Sequence, residues 1–269
     1  MAGQTRTDPL AIESAAHAEP VPRQVRAPKL GAAVVHRLVN DIVRGVYPPG
    51  SCLPTENELR DQFAVSRTLI RESVKIVQEK GLINIEHGRR TQVTDPRMWN
   101  LLDDAVLTAV VAHDANTSFL DELVATRATL EAGMAACAAG THSADDDRQI
   151  SAALEQMRCH VGRAGEFAAA DVHFHDMVMA ASGNRLARAI VNRIHQKARA
   201  SMRYHGDYSD AVMEQTVVEH EAVQEAILAS DPTTAGAAMR AHIQGSWQRR
   251  RPGTPGGVPT VAASHPVVR

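Results

Sequence analysis

The sequence predicts a mainly α-helical protein in two parts, and three observations carry that reading. Across 269 residues, hydrophobic side chains make up 44% but aromatic ones only 3%, a mixture that favours helices over sheets. Apolar residues recur at helical spacing along most of the chain. The net charge of −2 is unevenly spread: Arg23–Arg97 holds 13 Lys and Arg against 8 Asp and Glu, whereas Trp99–Trp247 holds 11 against 20. A basic first third ahead of an acidic remainder suits a nucleic-acid-binding module joined to something else. The length also leaves room for two cores, since single domains commonly run to ~100–150 residues.

The elements follow in order. Residues 32–44, "AAVVHRLVNDIVR", place Val35, Leu38, Ile42 and Val43 on one helical stripe, and the Gly and Pro of "GVYPPG" stop the helix. A second, short helix begins in "LPTENELRDQF", where Thr55 and Glu58 have capping-box spacing, each able to bond the other's backbone N–H. Ser66 can cap a third helix. Its Ile70, Val74 and Val77 form an apolar stripe, with Arg67, Arg71 and Lys75 in the row beside it. "KGLINIEHGRRTQVTD" then alternates about a glycine turn, as a two-stranded hairpin does.

Three helices and a β-hairpin wing make a winged helix-turn-helix. Its third helix enters the DNA major groove, where Arg67 and Arg71 can donate to guanine O6 and N7 or to phosphates, while the wing tip "HGRR" meets the flanking backbone or minor groove. A solvated charged face is the competing explanation for the row of cations on its own. The ordered succession of capping box, basic helix and hairpin favours DNA.

The stretch "GVYPPGSCLPTENELRDQFAVSRTLIRESVKIVQEKGLINIEHGRRTQV" resembles the DNA-binding domain of the GntR family, with its PG-x-x-LP-[ST]-E-x-x-L, VSR-T-x-x-R-E and glycine-turn wing. The resemblance implies that Ser66, Arg67, Thr68 and Arg71 touch the operator, with His87 and Gly88 at the wing tip. Asn57 stands where some relatives place an arginine, which implies a somewhat different operator. Helices of this kind usually read two half-sites about one turn of DNA apart, so a homodimer on near-palindromic double-stranded DNA is expected.

Beyond the wing, a connector helix over 96–116 is expected to lead into six helices near 117–139, 143–161, 164–181, 184–204, 210–229 and 232–247. Asp231-Pro232 is a well-formed helix start. The expected organisation is an N-terminal arm over 1–28, the winged domain over 29–95, the connector, an all-α helical-bundle ligand-binding domain over 117–247, and a Pro/Gly-rich tail over 248–269. Composition predicts disorder for the arm and tail. Cys52, Cys137 and Cys159 show no paired spacing, which argues against a disulfide framework or thiolate site. No apolar run is long enough to span a bilayer and no signal-peptide core precedes the first helix, so a cytoplasmic protein without membrane contact is expected.

In the helical half, polar residues fall on apolar faces. Asp171 shares a face with Phe167, Phe174 and Val178, and His175 follows one turn later. His220 has Val217, Val223 and Ile227 beside it, and His242 has Ala235, Ala238 and Met239. Any one of these histidines is adequately explained as a hydrogen-bonded core residue. A lone buried carboxylate is harder to tolerate. One divalent cation held by Asp171, His175, His220 and His242 would use all four, and a set of one oxygen and three imidazoles suits Zn²⁺ best, with Ni²⁺ or Mn²⁺ also compatible.

"DVHFHDMVMAASGN", "EHEAVQEAI" and "DPTTAGAAMRAHI" resemble the FCD ligand-binding domain of the FadR branch of GntR regulators. The resemblance implies that the same four residues hold a metal, with a small carboxylic acid bound beside it. It also assigns Arg127, in "ELVATRATLE", to the effector; from the residues alone, an i,i+4 ion pair with Glu131 is an equal alternative. "WNLLDDAVL" is similar to the "WNLLDPDVL" of relatives responsive to sugar acids such as galactonate, with Asp104-Ala105 in place of Pro-Asp. The expectation is therefore a transcriptional repressor answering to a sugar acid, with lactate, pyruvate or a dicarboxylate as alternative effectors. A metal-dependent hydrolytic enzyme is the remoter alternative. No further Glu or His stands in a motif as its general base.

Overall fold

A computed structural model of the chain describes residues 26–86, 90–201, 204 and 209–251. Most of the expected arm and tail, and the wing tip with His87 and Gly88, lie outside the described residues. Within them the chain forms ten α-helices, one 3₁₀ turn and one two-stranded antiparallel sheet.

The N-terminal elements are α1 (Arg26–Val43), α2 (Glu56–Phe63), α3 (Arg67–Glu79), β1 (Ile83–Asn84) and β2 (Gln92–Val93). The capping box forms: Thr55 N–H donates to Glu58 Oε2 at 2.7 Å, and Glu58 N–H donates to Thr55 Oγ1 at 3.3 Å. Ala64 ends α2 in the left-handed conformation, φ 51°, which turns the chain sharply into α3. Leu38, Ile42, Leu59, Ile70, Val77 and Leu82 are buried together as the core of this part. Between α3 and β1, Gly81 has φ +80°, and a Cβ there would meet the Met98 carbonyl oxygen at 2.2 Å. Only glycine fits that close approach.

The connector is shorter than the helix expected over 96–116. A 3₁₀ turn at Pro96–Met98 is followed, after Asp103, by α4 (Asp104–His113). Asp103 sets the start of α4 by accepting from the backbone of Ala105 and Val106, and it pairs with Lys80 at the end of α3 at 2.6 Å. The two sides of α4 enter different cores: Val106 and Ala109 pack into the N-terminal one, Leu107 and Val111 into the bundle. A helix buried on both sides does the joining, which is why no Gly/Ser linker is present.

The bundle consists of α5 (Ser118–Thr141), α6 (Ala144–Cys159), α7 (Ala164–Ala181), α8 (Arg185–Arg199), α9 (Asp210–Leu228) and α10 (Pro232–Arg250). α5 is central and packs against α10, α8, α7 and α9. Its buried stripe includes Leu120, Val124, Ala128 and Ala135, and two charged residues, Arg127 and Glu131, lie on that stripe. α8 ends at Arg199 rather than near 204, and α10 runs to Arg250 rather than 247. The α10 extension is held by Arg249, which donates two hydrogen bonds to Glu219, and by Arg250, which bonds back to Ser246. No described helix is long and apolar enough to cross a membrane.

Candidate functional site

The first candidate site is the exposed face of α3. Ser66 accepts from Leu69 N–H at 3.3 Å and so fixes the first turn of the helix. Thr68, Arg67 and Arg71 all face solvent. Both arginines lean toward Glu56 of α2, at 3.7 and 3.8 Å. At these distances and exposures the pairs are weak, and a phosphate or guanine can displace the carboxylate. Asn57, next to Glu56, opens the first turn of α2.

The second site lies inside the bundle. Asp171 and His175 come from α7, His220 from α9 and His242 from α10, and one ligand atom from each lies within 4.8 Å of the others. The Nε2 atom of His175 is 3.3 Å from the Nε2 atoms of both His242 and His220. Asp171 Oδ1 is 3.4 Å from His220 Nε2 and 3.9 Å from His175 Nε2. Each imidazole is aimed by an acceptor on its far side. His175 Nδ1 donates to Glu131 Oε2 at 2.6 Å, His220 Nδ1 to the Thr216 carbonyl at 2.6 Å, and His242 Nδ1 to Glu219 Oε2 at 2.8 Å.

Those three acceptors place the ring protons on Nδ1 and leave three Nε2 lone pairs facing one another and a carboxylate. Such an arrangement repels itself unless something positive sits at its centre. Ligand atoms bound at ~2.0–2.2 Å to one ion at tetrahedral or octahedral angles lie ~2.9–3.6 Å apart, so the 3.3 and 3.4 Å separations fit a divalent cation, and the 3.9 Å between Asp171 Oδ1 and His175 Nε2 is a few tenths of an ångström wider. The Nδ1 partners are the outer contacts that orient metal-binding imidazoles.

Electrostatics agree with that geometry. Burial pushes His220 well below the ordinary imidazole value and pushes His242 below it, which keeps both neutral at neutral pH. Burial opposes ionisation of Asp171, yet the positive charge around it, that of Arg250 included, holds it well below the carboxylate range. Glu131 is treated likewise: burial raises it, but the Arg127 guanidinium and His175 outweigh burial and hold it at about 2.

Arg127 is buried and forms the i,i+4 pair, donating from Nε to Glu131 Oε1 at 2.7 Å. It also donates from Nη1 to the Tyr204 hydroxyl at 2.7 Å. A chain of bonds thus runs from Tyr204 through Arg127 and Glu131 to His175. Sequence reasoning missed Glu131, Glu219, Thr216 and Tyr204 as parts of the site. For Glu131 a signal existed, since it continues the buried stripe of α5. Glu219 and Tyr204 reach the site through contacts distant in sequence and carry no such signal. His173 faces outward beside Asp176, in a groove between α7 and α8. His195 is buried with its ring 6.0 Å from that of Tyr204, and among the described residues it joins no ligand set.

A winged helix-turn-helix fused to a helical bundle with a buried Asp/His cluster defines a DNA-binding regulator with a sensing domain. Comparison with known proteins agrees. Residues 30–93 match the family described as bacterial regulatory proteins, gntR family, and residues 122–245 match the FCD domain. The galactonate operon transcriptional repressor of Escherichia coli K12 is 32% identical over 216 residues, 80% of this chain and 94% of that protein. The HTH-type transcriptional repressor NanR of Cronobacter sakazakii is 25% identical, covering 84% of this chain and 88% of its own length. Among solved structures, Lar, which controls the Listeria monocytogenes agr system, superposes with a TM-score of 0.53 at 16% identity, over 81% of this chain and 94% of that one. That likeness speaks to the fold alone.

The chain belongs to the GntR family of bacterial transcriptional regulators, with a C-terminal FCD domain. It is a regulator rather than an enzyme. The family's helix-turn-helix binds DNA and its FCD domain takes a small-molecule effector.

Proposed function

We propose that this protein is a cytoplasmic, metabolite-responsive repressor whose grip on its operator changes when a small carboxylic acid binds at a divalent metal. Asp171, His175, His220 and His242 hold the ion, of which Zn²⁺ suits the donor set best and Ni²⁺ or Mn²⁺ also fit. The ion supplies positive charge and open coordination positions for a carboxylate. The observation that carries the reading is the convergence of three Nε2 lone pairs on one carboxylate oxygen, each imidazole oriented from behind.

The chain's own residues do the rest. Glu131 holds His175 and Arg127 in register, and Arg127 contributes a buried guanidinium to the effector side. Ser66, Arg67, Thr68 and Arg71 read the operator, with His87 and Gly88 contacting its flank. Residues 29–95 form the reading unit and 117–247 the sensing unit, in a homodimer on a near-palindromic site. A sugar acid is the first effector to test, because a galactonate operon repressor is a 32% identical relative and "WNLLDDAVL" is similar to the connector of such regulators.

The test is a fluorescence-anisotropy titration of the DNA upstream of the protein's own gene, with and without D-galactonate, in metal-loaded and chelated protein. Release of DNA by the unchanged sugar acid, seen only with metal, supports the proposal. Release that is equally strong after chelation contradicts it.

A further inference from the structure

The Asp/His cluster is not sealed. Its three histidines are almost wholly buried, but the Asp171 side chain is 25% exposed and lines a small cleft with Phe167, Thr216, Ser246, Arg249 and Arg250. The cleft has a volume of about 30 Å³, enough for water or a small group. A larger ligand gains room at Asp171 when a side chain at the rim moves aside.

The two cations at the rim differ in one respect. Arg249 is committed to Glu219, as Arg127 deeper in the bundle is to Glu131. Among the described residues Arg250 makes no direct ion pair, and the carboxylate that feels its charge is Asp171 itself, whose ionisation it favours. Its Nε donates to the Ser246 carbonyl at 3.1 Å and its Nη2 to Ser246 Oγ at 2.8 Å, while its Cζ lies 5.0 Å from the centre of the Tyr204 ring. Both of its acceptors are neutral oxygens, and a carboxylate binding both arms of the guanidinium is a stronger partner than either. An entering anion can therefore draw Arg250 off Ser246 and widen the cleft as it does so. Tyr204 ties the two guanidiniums together, since its hydroxyl accepts from Arg127 and its ring carries Arg250.

We propose that Arg250 is the anion-selecting residue of the sensing domain: held in reserve on Ser246 at the mouth of the Asp/His cluster, it takes the carboxylate of the incoming ligand and admits it. This rests on the metal reading above, and the test separates the two. Co²⁺-loaded full-length protein is titrated with acetate, oxalate and the uncharged control acetamide, with the visible Co²⁺ spectrum as readout. Arg250→Gln should weaken acetate and oxalate ~10- to 100-fold, the range for a hydrogen bond to a charged group. Co²⁺ affinity, thermal midpoint and the acetamide response should stay unchanged, which loss of a merely structural helix-end contact would not produce. Ser246→Ala, which keeps the charge and removes one of the two competing acceptors, should tighten both carboxylates. Wild-type carboxylate affinity in Arg250→Gln, or Co²⁺ that binds but never answers to a carboxylate, overturns the assignment. Failure of Co²⁺ to bind at all overturns the metal reading instead.

Discussion

Replacing Glu131 with glutamine probes the buried network while changing almost no volume. Glu131 is fully buried and accepts from two donors, Arg127 Nε at 2.7 Å and His175 Nδ1 at 2.6 Å. A glutamine has one oxygen to offer two donors, so either Arg127 Nε–H faces an amide N–H or His175 must move its proton to Nε2, the nitrogen a metal needs free. The negative charge that balanced the buried Arg127 is also gone. Breaking a buried pair in this way costs ~3–5 kcal/mol, and loss of an outer partner of a metal-bound imidazole weakens the metal ~10- to 100-fold. The two effects are separable. Urea unfolding of chelated protein, followed through Trp247 in a Trp99→Phe background, reads the first, because Trp247 is buried in the bundle core. Competition against a chromophoric chelator reads the second. Glu131→Gln with unchanged unfolding and unchanged metal affinity would refute the reasoning, since no rotamer of glutamine satisfies both donors.

Other outcomes follow from the same geometry. Arg67→Ala and Arg71→Ala should each cost ~1–3 kcal/mol of specific operator binding in a fully folded protein, and anisotropy with wild-type affinity for the double variant would remove both from the interface. Glu56→Gln frees those arginines from the carboxylate beside them and should raise binding to non-specific DNA, lowering the ratio of specific to non-specific affinity; an unchanged ratio would show that Glu56 neither restrains nor positions them. In metal-free protein, burial holds His195, His220 and His242 below their ordinary value of 6.5, so the unfolded chain takes up protons first as pH falls. Stability should therefore be full above pH 6.5 and decline below it, by up to ~1.4 kcal/mol per pH unit for each histidine. Metal loading should move the decline to lower pH, and a flat unfolding midpoint between pH 8 and 5 in metal-free protein would contradict the assignment.

The sequence made the helices and the identity of the inward polar groups legible, because both follow from one periodicity. Asp171 and His175 could be placed on one face from their spacing alone, and their apolar neighbours Phe167, Phe174 and Val178 are buried beside them. What spacing cannot show is which side chain from another helix completes each bond. Glu219 precedes His220 on α9 yet serves His242 of α10, a pairing fixed by how two helices pack. Helix ends were also harder to read. α8 stops at Arg199 with no glycine or proline near it. α10 continues through Arg249 and Arg250, in a stretch whose onward Pro/Gly composition suggested a tail, because Arg249 reaches Glu219 of α9 and Arg250 bonds back to Ser246 one turn earlier. The connector looked like one helix, but Asp103 restarts the chain as a cap and divides it.

The central claim is that one divalent ion at Asp171, His175, His220 and His242 couples a carboxylate effector to operator binding. It is tested most directly by elemental analysis of protein purified without chelators, paired with effector-induced DNA release, for the wild type and the His220→Ala/His242→Ala variant. The wild type should carry one metal ion per chain and release its DNA; the variant, whose DNA binding persists through its N-terminal module, should do neither. Metal-free wild-type protein that still releases its operator in response to the effector would contradict it.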